Sequence, residues 1–537
     1  MPLDAEQIIK RYESSKGERG TWESHWQEVA DLVLPSRQFT TSNQTPGGKR
    51  RTKIYDATAP RDCIKFASAL HSLLTNPAIR WFDLTVPDEA LNRERDVRIW
   101  LDDTTRRLLN LFNDPSSGFG TSSFEILLDL VAFGTGIQQV HKRDGSIRFT
   151  SRPISEMYLV SDDDGEVVAS FRGYSPPASE VVSMFGNRDP GPSAKVRELA
   201  EDVKKSETQV EIIHYVFYRD DADPMRRDGK NKPVGSIYVE VGEKHIISES
   251  GFDEFPYLTP RWSRDSGETY GRSVSMSALS DIAMLNAMAK TTIEAAEKAV
   301  SPPLTVTANA IEGPVRTAPN SMIYVRHNMQ GRAITPLELG DPRLGVDLLG
   351  MQRSLIHEHY YMDLINLPEL DRMTATEVME RVRQKLQIMS PVLSRLYSEW
   401  LTPLISRAFR FLKDQGMLLD APEGIQGRKL DVQYTSPLAL SQRASESTSF
   451  LQLMNSATPL LTIDPAAMAN IDSDVAIRTL AAQLNVNPLM LRTEREVKSM
   501  RQQQDEMLEA AQQAKIAKTG SEAARNAAAG LRDVRGG

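Results

Sequence analysis

Four stretches of this 537-residue chain carry residue types that could do chemistry or hold a working loop. "TPGGKRRTK" (45–53) suggests a phosphate-binding loop, but the Walker pattern needs a glycine five residues before the Gly48–Lys49 pair. Position 43 is Asn, and Arg50 stands where Ser or Thr should follow the lysine. A solvated basic loop is the better reading, and the chain is not itself an ATP-burning motor. "SDDDG" offers Asp162, Asp163 and Asp164, but a calcium loop alternates its ligands and places glycine at its sixth position. A hairpin turn with surface acids fits instead. "HEHYYMD" places His357 and His359 two apart, where helical side chains diverge by ~200° and cannot share one metal. No Gly-x-Ser-x-Gly elbow occurs. These readings leave no catalytic residue, no metal site and no cofactor.

The fourth stretch, "LPELDRMTATEVMERVRQ", runs from Leu367 to Gln384. Thr374 and Glu377 have the capping-box spacing, in which each side chain bonds the other residue's backbone amide. The pattern predicts a helix starting at Thr374 behind a loop of Leu367, Pro368, Glu369, Leu370, Asp371 and Arg372.

The elements that position these stretches follow from periodicity. Length suggests three or four structural units. Hydrophobic content of 40% and charged content of 25% are ordinary for a globular chain. The net charge of −8 argues against a surface that grips nucleic acid throughout, because such surfaces need many phosphate-neutralising cations. Cys63 is the single cysteine, so no intrachain disulfide can form and a thiolate zinc site is not expected. That usage fits a reducing compartment. The first twenty residues lack a signal-peptide core, and no run approaches ~20 apolar residues, so no membrane partner is expected.

Trp22, Trp26, Val29 and Val33 recur at helical spacing behind Thr21, a candidate N-cap, and Pro35 ends that run. Further helices are expected from near Pro60, over 90–113 and over 121–134. From Gly136 the pattern turns to hairpins, with Asp144-Gly145 and Asp164-Gly165 at the turns. "VEIIHYVFYRD", "GSIYVEV" and "EKHIISES" are further strands, so the N-terminal half reads as α+β with antiparallel sheet. A long helix follows over roughly 275–300, its stripe being Leu279, Ile282, Leu285, Ala289, Ile293, Ala296 and Val300, ~40 Å long. Short β pieces come next. A second long helix has Asp341 as N-cap, Pro342 at its first turn and a stripe of Leu348, Leu349, Leu355, Ile356 and Met362. Helices over 375–389 and 390–414, a strand in "LDVQYTSPLA" and a helical region over 440–500 complete the chain. The fold class is α+β, predominantly helical. Two paired long helices either bury themselves in a large monomer or pack against further copies, for which a closed ring is one solution.

Several segments, in order, resemble one family, the portal or head-to-tail connector proteins of short-tailed bacteriophages (podovirus type). They are "IYDATAPRDCIKFASALHSLLTNPAIRWFDL", then "PYLTPRWSRDSGETYGRS" with Arg261, Trp262, Gly267, Glu268, Tyr270, Gly271 and Arg272. "ALSDIAMLNAMAKTTIEAAEKAVSPP", "RMTATEVMERVRQKLQIMSPVLSRLYSEWLTPLISRAF", "YTSPLALSQR" and "NIDSD…NVNP" follow. The resemblance spans most of 20–500. It implies a wing over 1–271, stem helices over 272–300 and 341–364, a β-rich clip over 301–340 and a tunnel loop over 365–373. The wing resumes over 374–435, a helical crown covers 436–500, and 501–537 is a flexible tail. It further implies a dodecameric ring of this chain at one capsid vertex of the virion, assembled in the host cytoplasm. Double-stranded genomic DNA would be packaged through it by the terminase large subunit and later ejected. Tail adaptor proteins, capsid or scaffolding proteins and, in some of these phages, internal core proteins are the implied partners. The tunnel loop, Leu367 to Arg372, would face the DNA, and Arg316, Arg326 and Arg332 of the clip would contact DNA or a partner. The alternatives are a metal-dependent nucleic-acid enzyme and a helical virion adaptor that forms no ring.

Overall fold

The computed structural model describes residues 4–37, 54–143, 145–219, 228–300, 304–306, 334–336, 343–365 and 388–434, with short pieces between 474 and 507. The chain divides into two compact units where three or four were expected. One comprises Met1–Trp81 and Leu108–Met417, the other Phe82–Arg107 and Leu418–Gly537. Neither unit is continuous in sequence, so the divisions cannot follow simple runs of chain.

The larger unit opens with α1 (Ala5–Glu18) and α2 (Gly20–Leu32). They are separate helices, and α2 starts at Gly20 without a side-chain cap, so Thr21 is not its N-cap. The reason is Arg19, buried at the junction. Its guanidinium donates to the carbonyls of Ile154 and Met157 at 2.8 and 2.7 Å and lies 3.7 Å over the Tyr158 ring. α3 (Thr58–Leu74) follows. In the smaller unit, β1 (Phe82–Thr85) pairs antiparallel with a strand near 431–434, and α4 (Glu89–Arg93) precedes α5 (Arg95–Asn113). The single helix expected over 90–113 breaks at Glu94, whose ψ of 132° is extended. The boundary between units falls within α5.

Back in the larger unit, α6 (Phe119–Phe133) leads into the hairpin of β2 (Gln138–Arg143) and β3 (Ser146–Ser151). Gly145, at φ +78°, supplies the left-handed turn position that the Asp-Gly signal promised. β4 (Met157–Ser161) and β5 (Val167–Tyr174) form the second hairpin. The acidic run lies in its turn: Asp162 Oδ1 accepts from Glu166 N at 2.7 Å and Asp162 O from Gly165 N. α7 (Ala178–Phe185) and α8 (Ala194–Glu201) precede β6 (Ile212–Tyr218), β7 (Val234–Glu240) and β8 (His245–Phe252). β4 to β8 make one antiparallel meander in sequence order. Both faces are covered. Ile8, Ile9 and Tyr12 of α1 pack on Ile213, Tyr215 and Val239, while α7 and α8 pack on Ile212 and Ile247. Burial on both sides explains why β6 reads as an almost continuous apolar run.

β9 (Tyr257–Leu258) joins the edge of β2. α9 (Val274–Ser277) then starts α10 (Leu279–Val300), so the long helix expected from 275 exists with a one-residue break. β10 (Leu304–Val306) pairs antiparallel with β11 (Ile334–Pro336). α11 (Arg343–His359) and α12 (Met362–Ile365) follow. Ser390-Pro391 restarts the chain as α13 (Ser390–Leu396), a π turn (Tyr397–Leu401) and α14 (Thr402–Asp414), one continuous helical run over 390–414 as expected, with the π turn inside it. β12 (Asp431–Tyr434), in the smaller unit, is the partner of β1. Among the described residues no helix is long and apolar enough to cross a membrane.

Candidate functional site

The paired helices α10 and α11 are fixed to the larger unit through the end of α6. The last four carbonyls of a helix lack intrahelical partners and need donors from elsewhere. In α6 all four have one. Gly134 N donates to Leu130 O at 3.0 Å, Ser275 Oγ to Val131 O at 2.8 Å, Ser273 Oγ to Ala132 O at 2.8 Å, and Trp26 Nε1 to Phe133 O at 3.1 Å. Ser273 also accepts from Met276 N at 2.9 Å and so caps α9. Because the one Ser275 proton goes to Val131, the buried Tyr360 hydroxyl, 2.8 Å away, must donate to Ser275. That bond ties the residue just after α11 to α9, which leads into α10. Gly134, at φ +80°, permits the close approach: a Cβ there would stand 2.2 Å from Gly271 O.

Side-chain bonds to carboxylates then clamp α11 on two sides. Arg353 Nη2 lies 2.7 Å from Asp56 Oδ2 and His357 Nδ1 2.5 Å from Asp62 Oδ2, one turn apart, reaching α3 and the residues before it. On the α10 side, Gln352 Nε2 donates to Asp281 Oδ1 at 3.0 Å and His359 Nε2 lies 3.1 Å from Asp281 Oδ2. His357 and His359 thus meet different carboxylates on different helices, as their angular divergence requires. Burial resists ionisation of Asp56, but bonds from Thr58 and Arg353 hold its carboxyl below the ordinary range. Burial wins at Asp62, whose carboxyl is raised despite His357. Near this junction burial pushes the Cys63 thiol up to about 12, which leaves it unreactive at neutral pH. On α6, Asp129 is wholly buried and is pushed up to about 7 by that burial, with Arg37 3.1 Å away pulling the other way.

A second anchor joins the segment before α9 to the π turn. Arg261 is 2% exposed, and its guanidinium donates to both Glu399 carboxylate oxygens, with Nη2 to Oε1 at 2.8 Å. Arg261 N bonds Glu399 Oε2 at 2.9 Å, and Arg261 Nη1 bonds Gly165 O at 2.9 Å. The π turn aims Glu399 inward at this guanidinium while Trp400 Nε1 donates to Gln138 Oε1 at 2.7 Å.

The apolar stripes of the pair divide differently from expectation. Leu349, Gln352 and Ile356 of α11 are buried, Gln352 against Asp281 of α10, as are Ile282, Leu285 and Ala289 of α10. Leu348, Met351 and Leu355, each one residue earlier and so ~100° around the axis, are exposed, Met351 at 68%. Ile293, Ala296 and Val300 of the expected α10 stripe are exposed as well. One helix can cover only one stripe of another, so the second stripe is left over.

The residues singled out from the sequence as DNA-facing or partner-facing all lie outside the described residues. These are Leu367, Pro368, Glu369, Leu370, Asp371 and Arg372, the cap pair Thr374 and Glu377, and Arg316, Arg326 and Arg332. The anchors were not anticipated. Arg261 was noted only for its likeness to a family motif, and nothing local in sequence marks an arginine for burial; its pairing with Glu399 spans 138 positions.

The profile of a family described as "Bacteriophage head to tail connecting protein" matches residues 5–491. The chain is 30% identical over 519 residues to the "Portal protein" of Salmonella phage epsilon15, covering 95% of this chain and 92% of that one. It is likewise 30% identical over 527 residues to the "Probable portal protein" of Bordetella phage BPP-1, covering 96% and 94%.

Proposed function

The chain belongs to the bacteriophage head to tail connecting protein family, and on that premise we propose that copies of it close into a dodecameric ring at one capsid vertex. The observation that carries the ring is the leftover apolar stripe of Leu348, Met351 and Leu355 on a helix already clamped along its other sides. An apolar row of that kind marks a contact with another molecule, and a heterologous contact between identical chains closes into a ring when the rotation allows. In this reading α10 and α11 belong to the stem (272–300 and 341–364), β10 and β11 to the clip (301–340), and 365–373 to the tunnel loop. The wing is 1–271 and 374–435, the crown 436–500 and the tail 501–537.

Genomic DNA enters through the ring, driven by the terminase large subunit, and leaves by the same path. Tail adaptors, capsid or scaffolding proteins and internal core proteins dock on it. The role is structural and needs no catalysis by this chain. The net charge of −8 suits a conduit, because DNA phosphates are not held by an acidic protein and can slide. The loop Leu367–Arg372 faces that path, and Arg316, Arg326 and Arg332 serve contacts at the clip. Deleting 367–371 tests the reading: rings should form as before while DNA packaging or retention changes. Loss of folding on deletion would make the loop a core element, and divalent-metal-dependent nuclease activity of the purified protein would favour an enzyme.

A further inference from the structure

The α10–α11 pair has two free edges. Gln352 and His359 of α11 both reach Asp281 of α10, and a Cβ on Gly345 would stand 2.9 Å from Thr292 Oγ1. The two helices are therefore antiparallel, and these contacts fix their relative height. At ~1.5 Å of rise per residue on each helix, Asp347 stands level with Lys290, Gly350 with Ala287 and Ser354 with Ala283. At ~100° per residue, Asp347, Gly350 and Ser354 lie roughly 120–180° around α11 from Gln352 and His359. Ala283, Ala287 and Lys290 lie as far around α10 from Asp281 and Thr292. All six are exposed. Each chain thus turns an α11 edge one way and an α10 edge the other.

The two edges match in charge and in bulk. Asp347 has no ion-pair partner among the described residues. Lys290 lies 3.8 Å from Glu294 of its own helix, a loose exposed contact, and an ammonium has three N–H donors to divide between two carboxylates. Glu358, the other acid on the α11 edge, stands level with Leu279, several turns from Lys290. Gly350 and Ser354, level with Ala287 and Ala283, carry little to hold two backbones apart, and helix separation follows the size of the side chains at the contact. Met351, 68% exposed, borders the α11 edge, so a helix seated there also covers part of the leftover apolar row.

We propose that the α11 edge of one copy packs along the α10 edge of the next, with Asp347 of the first paired to Lys290 of the second. The inference rests on the ring reading and names the faces that meet in it. Rotation about an axis running along the helices keeps every residue at its height, so levels matched within one chain are matched between neighbours. The two edges are different surfaces, so the contact is heterologous and repeats from copy to copy until the ring closes.

Oxidation of Gly350→Cys/Ala287→Cys in the full chain tests this. A Cβ at Gly350 meets open space, and the Cys63 thiol is buried. Within one chain the two new thiols face away from each other, so only a neighbouring copy can bridge them. Denaturing electrophoresis should show a covalent ladder extending beyond the dimer. Gly350→Cys/Lys298→Cys, whose levels differ by ~16 Å, should show none. Independently, Asp347→Lys and Lys290→Asp should each raise the protein concentration for half assembly at least ~10-fold, and the two together should return it to within about threefold of the parent. Rings in electron micrographs without the ladder, a ladder that stops at the dimer, or a double charge variant no better than either single one overturns this contact and leaves the ring reading standing. A parent chain that forms no ring overturns both.

Discussion

Glu399→Gln should loosen the anchor between the segment before α9 and the π turn. Glu399 takes three hydrogen bonds from Arg261, two of them from the guanidinium, and Arg261 is 2% exposed. The amide keeps one acceptor oxygen but removes the countercharge and puts an N–H₂ against a cation. Breaking a buried pair from one side costs about 3–5 kcal/mol, because the remaining charge has no solvent to turn to. The carbonyls of Gly165 and Thr269 still hold Arg261 Nη1 and moderate the loss, which places the expectation near the lower figure. At ~1.4 kcal/mol per factor of ten, about 3 kcal/mol speeds local opening ~100-fold. Hydrogen exchange by mass spectrometry on peptides covering 159–174, 259–272 and 395–405 reads this directly, with peptides of β6 and β7 as the unaffected reference. Arg261→Met/Glu399→Met should recover much of the loss. Exchange in those peptides within threefold of the parent would refute the claim that this pair holds the junction together.

Ser275→Ala should destabilise the larger unit by about 2–4 kcal/mol, since it strands both Val131 O and the Tyr360 hydroxyl; Tyr360→Phe, which strands neither, should cost about 1 kcal/mol in denaturant titration. Asp129 has a folded pKa raised to about 7 above the ordinary 3.8. A raised group contributes stability that is complete below the lower value and is lost as pH rises through the higher one. Thermal unfolding should therefore show a fall in stability between about pH 4 and pH 7 that Asp129→Asn flattens; an undiminished slope in the variant would assign the fall to other groups. Met351→Glu or Leu355→Glu should leave the circular dichroism of the chain unchanged and abolish assembly, as judged by light scattering.

The β2–β3 and β4–β5 hairpins were legible because their turns announce themselves locally. Gly145 and Gly165 hold left-handed turn positions, and β-branched residues flank them. The long helices were legible from their 3.6-residue period. What periodicity could not supply was which of two apolar stripes on α11 is spent inside the chain, because Leu348 and Leu349 read alike until a neighbour is placed. Non-local pairings were equally silent. β1 and β12 pair Phe82 with Tyr434 across more than half the chain, and buried Arg19 and Arg261 look like surface residues until their carbonyl acceptors arrive from elsewhere. The break at Glu94 and the π turn at Tyr397–Leu401 fall in runs whose composition remains helical throughout. The residues read as touching DNA lie in segments outside the described part of the chain, so their reading rests on sequence and family alone.

Electron microscopy of the purified, negatively stained full chain tests the central claim most directly. The account predicts closed rings with a central hole and dodecameric symmetry, lost in Met351→Glu. A wild-type chain that stays monomeric across the concentrations at which it remains folded, or that grows into open filaments, would contradict it.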